Sequence, residues 1–208
     1  MNHSLSGYLA RLIALSLVLS ILGCTSPSQP SRFYRLDSQL SGAVMPERPV
    51  TGEELPLVGV GPIRLASYLD RPQLIERISS HQLNLYEFDR WAGTLQENMV
   101  QVLSNVMQQA LPQAQVIGHP WHSSVQPDYE VILYISRFDR QLDKIKLQAR
   151  WSLVEQRKGR LLRLDQTVIE TSTNGGGIEA GVKASSDAVQ ILAKEIAAQL
   201  QTLIADQL

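Results

Sequence analysis

The stretch that decides the fold is KIKLQARWSLVEQ (144–156), because apolar and polar residues alternate along it. Successive side chains of a β-strand point to opposite faces of the sheet, so this alternation predicts a strand with one apolar and one polar face. The apolar positions are Ile145, Leu147, Ala149, Trp151 and Leu153, and the polar positions between them are Lys146, Gln148, Arg150 and Ser152. We therefore expect one sheet face to be core and the other to contact water or a partner.

The stretches on either side predict an antiparallel meander around this strand. YEVILYISRF (129–138) is apolar on both faces for most of its length, which is typical of a central strand. RLLRLDQTVIETST (160–173) returns through the Lys158-Gly159 turn. Four shorter strands are predicted upstream, the last two as a hairpin: FYRL (33–36), LVGVGPIRL (57–65), QLIERIS (73–79) and QLNLYEF (82–88).

Two long helices complete the predicted fold. Residues 91–111 carry an apolar stripe at three- and four-residue spacing, with Asp89 as the predicted N-cap and Pro112 as the stop. A second apolar stripe predicts a final helix over residues 180–206. The fold class predicted from these elements is α+β, with an antiparallel sheet and two long amphipathic helices packed on one of its faces.

The N-terminus reads as a secretory signal peptide over residues 1–23. Arg11 and the amino terminus supply positive charge, and an apolar run (12–22) follows. The run is shorter than the roughly 20 residues that a bilayer-spanning helix needs. Gly23 is the small residue expected before the cleavage site, and Cys24, the only cysteine of the chain, follows it.

The sequence ILGC (21–24) resembles a bacterial lipobox. This resemblance implies cleavage between Gly23 and Cys24, a diacylglyceryl group on the Cys24 thiol and an acylated new amino terminus. Two or three acyl chains anchor a protein durably, whereas one chain binds only marginally. The Ser- and Pro-rich residues that follow make 24–31 a lipidated tether. Thr25, where an Asp would imply inner-membrane retention, favours the outer membrane.

Composition bounds the remaining chain, 32–208, which we predict to be one domain. Removing residues 1–23 takes away one basic residue and no acidic one, which leaves 18 Lys and Arg against 20 Asp and Glu. No basic block occurs, so neither nucleic-acid binding nor electrostatic membrane attachment is expected. A single cysteine allows no disulfide within the chain.

No motif for catalysis, a metal or a cofactor emerges from the sequence. His119 and His122 flank a Pro-containing stretch, which is typical of a surface loop rather than a zinc site. The Gly-rich stretch NGGGIEAGVK (174–183) has Val182 where a phosphate-binding loop requires Lys. We therefore predict no catalytic residue, no metal ligand and no cofactor.

The stretch YLDRPQLIERISSHQLNLYEFDRWAGTL (68–95) concentrates arginines, carboxylates and a tryptophan around two short strands. One interpretation is a structural clasp between turn and sheet, and the other is a docking surface. The clasp is the preferred interpretation. The candidate docking or framework residues are Arg71, Pro72, Arg77, Trp91, Arg137, Asp139 and Trp151.

Several motifs taken together resemble the ABC-type transport auxiliary lipoproteins of the PqiC kind. They are the lipobox, YLDRPQLIERIS, EFDRWAGTL, ISRFDRQL and LQARWSLVEQ, in this order. Matching positions are Leu69, Arg71, Pro72, Arg77, Trp91, Leu95, Arg137, Phe138, Asp139 and Trp151. The resemblance implies a non-enzymatic lipoprotein on the periplasmic face of the outer membrane. It also implies two partners, an inner-membrane transporter component and a PqiB-like tube protein built of MCE domains, in lipid transport that supports envelope integrity.

Other functions remain open at the level of the sequence. A periplasmic lipid carrier would have a strongly curved or closed sheet around an apolar cavity, which the two one-sided helices argue against. A lipoprotein regulator of a cell-wall enzyme is the other alternative. Self-association into a homo-oligomeric ring around a tube-shaped partner is compatible with the family, because a tube end offers several equal sites.

Overall fold

The computed structural model describes residues 29–38 and 55–205. The predicted signal peptide, the predicted cleavage site at Gly23 and the predicted lipid attachment at Cys24 lie outside these residues. Contacts divide the chain after Pro30, and the second unit, Ser31–Leu208, contains every element described below. Its strands are β1 (Arg32–Tyr34), β2 (Leu57–Leu65), β3 (Gln73–Arg77), β4 (Leu83–Trp91), β5 (Gln115–Gly118), β6 (Tyr129–Gln141), β7 (Lys144–Glu155) and β8 (Arg160–Ser172), and its helices are α1 (Leu95–Ala110) and α2 (Ile178–Ala205).

All eight strands belong to one sheet with the long strand β6 at its centre. One edge of β6 pairs with β7 along its whole length, and β7 pairs in turn with β8. The other edge is shared, because β2 pairs with the first half of β6 and β3 joins near its end. β5 extends the sheet beyond β2, and β4 and β1 extend it beyond β3.

The predicted α+β class is confirmed, with one correction: the sheet is mixed rather than wholly antiparallel. The meander β6–β7–β8 and the hairpin β3–β4 are antiparallel as predicted. β2 lies parallel to both β5 and β6, and β1 lies parallel to β4. Alternation along a strand shows which face is buried, but it does not show whether the neighbouring strand runs parallel or antiparallel. The pairing of strands that are distant in sequence could therefore not be predicted from it.

Both helices cover the same sheet face, as predicted. α1 packs on β2 and β5, α2 packs on β7 and β8, and the two helices pack against each other. The positions of β7 predicted to be apolar, Ile145 through Leu153, are all buried on this side, together with Val131, Leu133 and Ile135 of β6. The core is therefore one layer between the sheet and the two helices.

The start of α1 differs from the prediction. Trp91 is the last residue of β4 rather than the first of a helix, and Asp89 is a strand residue rather than a cap. Thr94 is the N-cap: its side chain accepts from the Glu97 backbone N–H, and the Glu97 carboxylate accepts from the Thr94 N–H. The sequence signature of this capping box is T-x-x-E. It marks the first residue of the helix more closely than the apolar stripe does, because its hydrogen bonds lie within the first turn.

Candidate functional site: the open face of the sheet

The sheet face opposite the helices, here called the open face, is ordered in cross-strand rows. The register of β6, β7 and β8 sets side chains on a common face opposite one another. The rows are Ile132–Ser152–Leu164, Tyr134–Arg150–Gln166, Arg137–Gln148–Val168 and Asp139–Lys146–Glu170. Arg64 of β2 extends the second row, because it pairs with Tyr134.

Large apolar side chains are exposed on this face. Leu164 is 70% exposed and Val168 is 50% exposed, although both belong to a well-paired strand. A groove of about 820 Å³ has Leu164 in its lining, together with Ile132, Tyr134 and Arg150. Exposed apolar side chains rimmed by polar ones are a feature of interaction surfaces when they form a contiguous patch.

A buried carboxylate organises one end of the open face. The side chain of Asp139 is fully buried and lies beneath three donors. Arg77 donates from Nη2 at 2.8 Å and from Nε at 3.1 and 3.2 Å, and Arg137 donates from Nε at 3.0 Å. The Tyr68 hydroxyl donates at 3.1 Å. Because these residues come from β3, β6 and the β2–β3 connection, the cluster ties three segments together.

The electrostatics of this cluster follow from its geometry. The hydrogen bond to Asp139 raises the pKa of Arg77, and burial raises the pKa of Tyr68, with the adjacent Asp139 charge as a further cause. Both shifts favour the protonated forms that donate to the carboxylate. Both carboxylate oxygens of Asp139 accept hydrogen bonds from these donors, and the two guanidinium groups give the cluster a net charge of +1.

The two predicted tryptophans lie in the core and support this face from below. Trp151 is 1% exposed, and its Nε1–H donates to Thr167 Oγ1 at 3.0 Å. Trp91 is 7% exposed and stacks on Phe138, with 6.4 Å between ring centroids. Both side chains are therefore part of the buried core rather than of the exposed surface.

The predicted turn residues Arg71 and Pro72 position the start of β3. The Pro72 carbonyl accepts from the Trp91 backbone N–H at 2.7 Å, which fixes the turn against the end of β4. The Arg71 backbone N–H donates to the Leu69 carbonyl, while its buried Nε has no hydrogen-bond partner among the described residues. The structure thus brings Arg77, Arg137 and Asp139 together and leaves Arg71 and Pro72 outside that cluster.

A second carboxylate clasp, not predicted as such, fixes the N-terminal strand. Asp89 is buried and accepts from Arg32 at 2.8 and 3.0 Å and from the Tyr34 hydroxyl at 3.0 Å. Sequence reasoning also did not single out Arg64 and Tyr134 on the open face. The polar positions of β7 did indicate that this face is exposed. Which residues of the neighbouring strands lie beside them depends on the register between strands, which the sequence does not show.

An enclosed cavity in the described part of the chain bears on the lipid-carrier alternative. An apolar cavity of about 40 Å³ lies between the β3–β4 hairpin and the start of α2, with Leu74, Tyr86, Trp91 and Ile178 in its lining. Sites for small molecules measure roughly 300–1,000 Å³. This cavity is therefore too small for an acyl chain.

Residues 29–38 and 55–205 contain neither a candidate metal site nor a candidate membrane-spanning helix. Within these ranges, no three His, Cys, Asp or Glu side chains come together as metal ligands. The helices of the same part of the chain include none that combines the length and the hydropathy of a transmembrane span.

Two solved structures share the fold. A crystal structure of an uncharacterized protein superposes with a TM-score of 0.68 at 18% identity, covering 83% of this chain and 99% of that one. A protein from Xanthomonas campestris gives a TM-score of 0.65 at 16% identity, covering 85% and 97% of the two chains. At such identities the likeness shows the fold alone.

A family model is matched over most of the domain, whereas no curated protein matches the chain. The model is that of the ABC-type transport auxiliary lipoprotein component, and residues 38–197 match it. This range contains β2 through β8, α1 and most of α2, including the buried Asp139 cluster and the rows of the open face. The chain therefore belongs to the ABC-type transport auxiliary lipoprotein family.

Proposed function

We propose that this protein is the lipid-anchored auxiliary subunit of a lipid transport system that connects the inner and outer membranes. Acyl chains on Cys24 hold it at the periplasmic face of the outer membrane. There it docks a PqiB-like tube protein of MCE domains, which an inner-membrane transporter component energises, and so supports envelope integrity. The protein contributes binding and no bond making. The family match over residues 38–197 is the observation that carries this proposal.

The open face supports a docking role. A docking module needs exposed side chains that are not already paired within its own fold. It also benefits from a rigid surface, because less conformational entropy is then lost on binding. The Asp139 cluster and the buried Trp151 supply rigidity below and beside the face. Leu164 and Val168 remain exposed, and the candidate residues Arg77 and Arg137 border the same surface.

A homo-oligomeric ring is part of the proposal. The outer edge of β8, a strand of 13 residues, pairs with no other strand of the described residues. An open edge offers a row of backbone donors and acceptors to another chain. Repeated head-to-tail contacts through such an edge close into a ring when the rotation between copies allows it.

The anchor is tested with the full chain expressed in a Gram-negative host. We expect Cys24→Ser to abolish the mass increase due to acylation and to release the protein from sedimented membranes. Thr25→Asp is the matched variant, which keeps the lipid and shifts the protein from the outer- to the inner-membrane fraction. If C24S protein sediments with membranes and has the mass of the wild type, the lipid-anchored function is wrong.

A further inference from the structure

Two arginines and a tyrosine form a cationic row at the centre of the open face. Arg64, Tyr134 and Arg150 are direct cross-strand neighbours on β2, β6 and β7. The guanidinium carbon of Arg150 lies 5.1 Å from the centroid of the Tyr134 ring. Adjacent strands are about 4.8 Å apart, and Arg64 and Arg150 lie on the two strands that flank β6. Their Cα atoms are therefore roughly 10 Å apart.

Arg64 and Arg150 lack the carboxylate partners that Arg77, Arg137, Lys144 and Lys146 have on this face. Asp139 pairs with Arg77 and Arg137, and Glu170 pairs with Lys144 and Lys146. Within the part of the chain that the structure describes, no carboxylate forms an ion pair with Arg64 or Arg150. Both residues are exposed. The centre of the open face therefore carries two positive charges that the fold does not neutralise.

Apolar side chains flank the cationic row on both sides. Leu164 and Ile132 lie in the row before it, and Val168 lies in the row after it. The groove of about 820 Å³, which Ile132 and Leu164 line, is concave and is formed by residues of four strands, β2, β6, β7 and β8. A flat bilayer surface does not fill a concave groove, and a small anion does not use its apolar borders. A protein segment that carries both carboxylates and apolar side chains fits both features.

We propose that the open face binds an acidic segment of a partner protein. Carboxylates of that segment pair with Arg64 and Arg150, for which guanidinium groups are well suited because they bind carboxylates bidentately. Apolar side chains of the segment cover Leu164 and Val168. This inference rests on the proposed docking function and adds the chemistry of the partner and the surface that receives it.

The test uses the full lipidated chain in cells with a photocrosslinking amino acid at Ser152, which lies between Ile132 and Leu164. Lys194, exposed on α2, is the matched control position. We expect a crosslink from position 152 but not from 194, and mass spectrometry should place it in a partner segment with at least two Asp or Glu. The double variant R64E/R150E should lower the crosslink yield about tenfold, whereas R64K/R150K should retain most of it.

The outcomes separate this inference from the proposed function. A crosslink to a neutral or basic segment, to lipid or to a second copy of this chain overturns it, and so does no crosslink at position 152. Membrane sedimentation of the same samples reports the anchor independently. A wild-type protein that sediments with membranes but gives no acidic crosslink refutes the acidic partner while the anchor stands.

Vesicles of phosphatidylglycerol provide the comparison with a membrane surface. The full chain with Cys24→Ser is incubated with these vesicles and sedimented. We expect R64E/R150E to leave its sedimentation unchanged. If those substitutions abolish vesicle binding, the arginine row recognises lipid phosphate and the acidic protein segment is wrong. Circular dichroism of both double variants verifies that the sheet is intact.

Discussion

Substitution of Asp139 by Asn tests whether a buried carboxylate holds the open face together. The change keeps the shape of the side chain and removes its charge, which leaves two guanidinium groups facing an amide. The side chains of Arg77 and Arg137 are only 16% and 21% exposed, so water can replace the lost partner only in part. Removing one partner of a buried pair costs about 3–5 kcal/mol, and we expect the lower end, about 3 kcal/mol, because both arginines reach some solvent.

The free energy of unfolding is measured by urea denaturation followed by circular dichroism. For a domain of 150–250 residues, about 3 kcal/mol corresponds to a Tm lower by roughly 6–12 °C. Asp165→Asn is the control, because its partner Arg163 is 41% exposed and surface pairs contribute little. We expect D165N to leave the urea midpoint unchanged.

A double-mutant cycle gives the result that would refute this reasoning. If the penalty comes from uncompensated positive charge, adding R77M to D139N should relieve part of it, so the double variant is more stable than the sum of single effects predicts. A loss below about 1 kcal/mol for D139N, or simple additivity with R77M, would show that the cluster is a solvated contact rather than a buried clasp.

The remaining predictions concern packing and pH. Gly59→Ala should destabilise the domain by about 1–3 kcal/mol in urea denaturation, because a Cβ there would lie 2.6 Å from Trp121 Cη2 and 2.8 Å from Pro127 Cγ. Gly176→Ala, with no atom within 4 Å of its Cβ, should leave stability unchanged, and equal effects would refute the close approach. Burial, followed by a hydrogen bond to Glu76, raises the pKa of Tyr86 from 10.0 to about 12. Since the raised value belongs to the folded state, this contribution to stability is complete below pH 10 and is lost as pH rises towards 12, and ultraviolet titration should show a late ionisation that Y86F lacks.

Local patterns predicted the strands of the meander closely. The stretch 144–156 became β7, Lys144–Glu155; its predicted apolar positions are all buried, and the polar positions between them are partly exposed or, at Arg150, exposed. The stretch 57–65 became β2 with the same bounds. In β7 the buried positions recur every second residue, so the signal is repeated along the strand, whereas β2 is buried at four successive residues (58–61) and was recognised as an apolar run.

Short or competing signals gave the errors. β5, Gln115–Gly118, has four residues and no clear alternation of buried and exposed positions, and it was not predicted. The apolar stripe from 91 to 111 continued into the end of β4, because Trp91 is buried by the sheet and matches the helical spacing by chance. The capping box at Thr94 was the better boundary, since it depends on the backbone of a single turn.

The sequence by itself determined the class of the fold, the central place of β6, the buried side of β7 and the amphipathic helices, because these depend on residues within one element. Only the tertiary structure decided the parallel pairs of β2 and the open face with Arg64, Tyr134 and Arg150 in one row. The same holds for the clasp of Asp139 on Arg77, whose partners are 62 residues apart in the chain. Such contacts are set by register between distant strands, and a pattern confined to one strand carries no information about register with another.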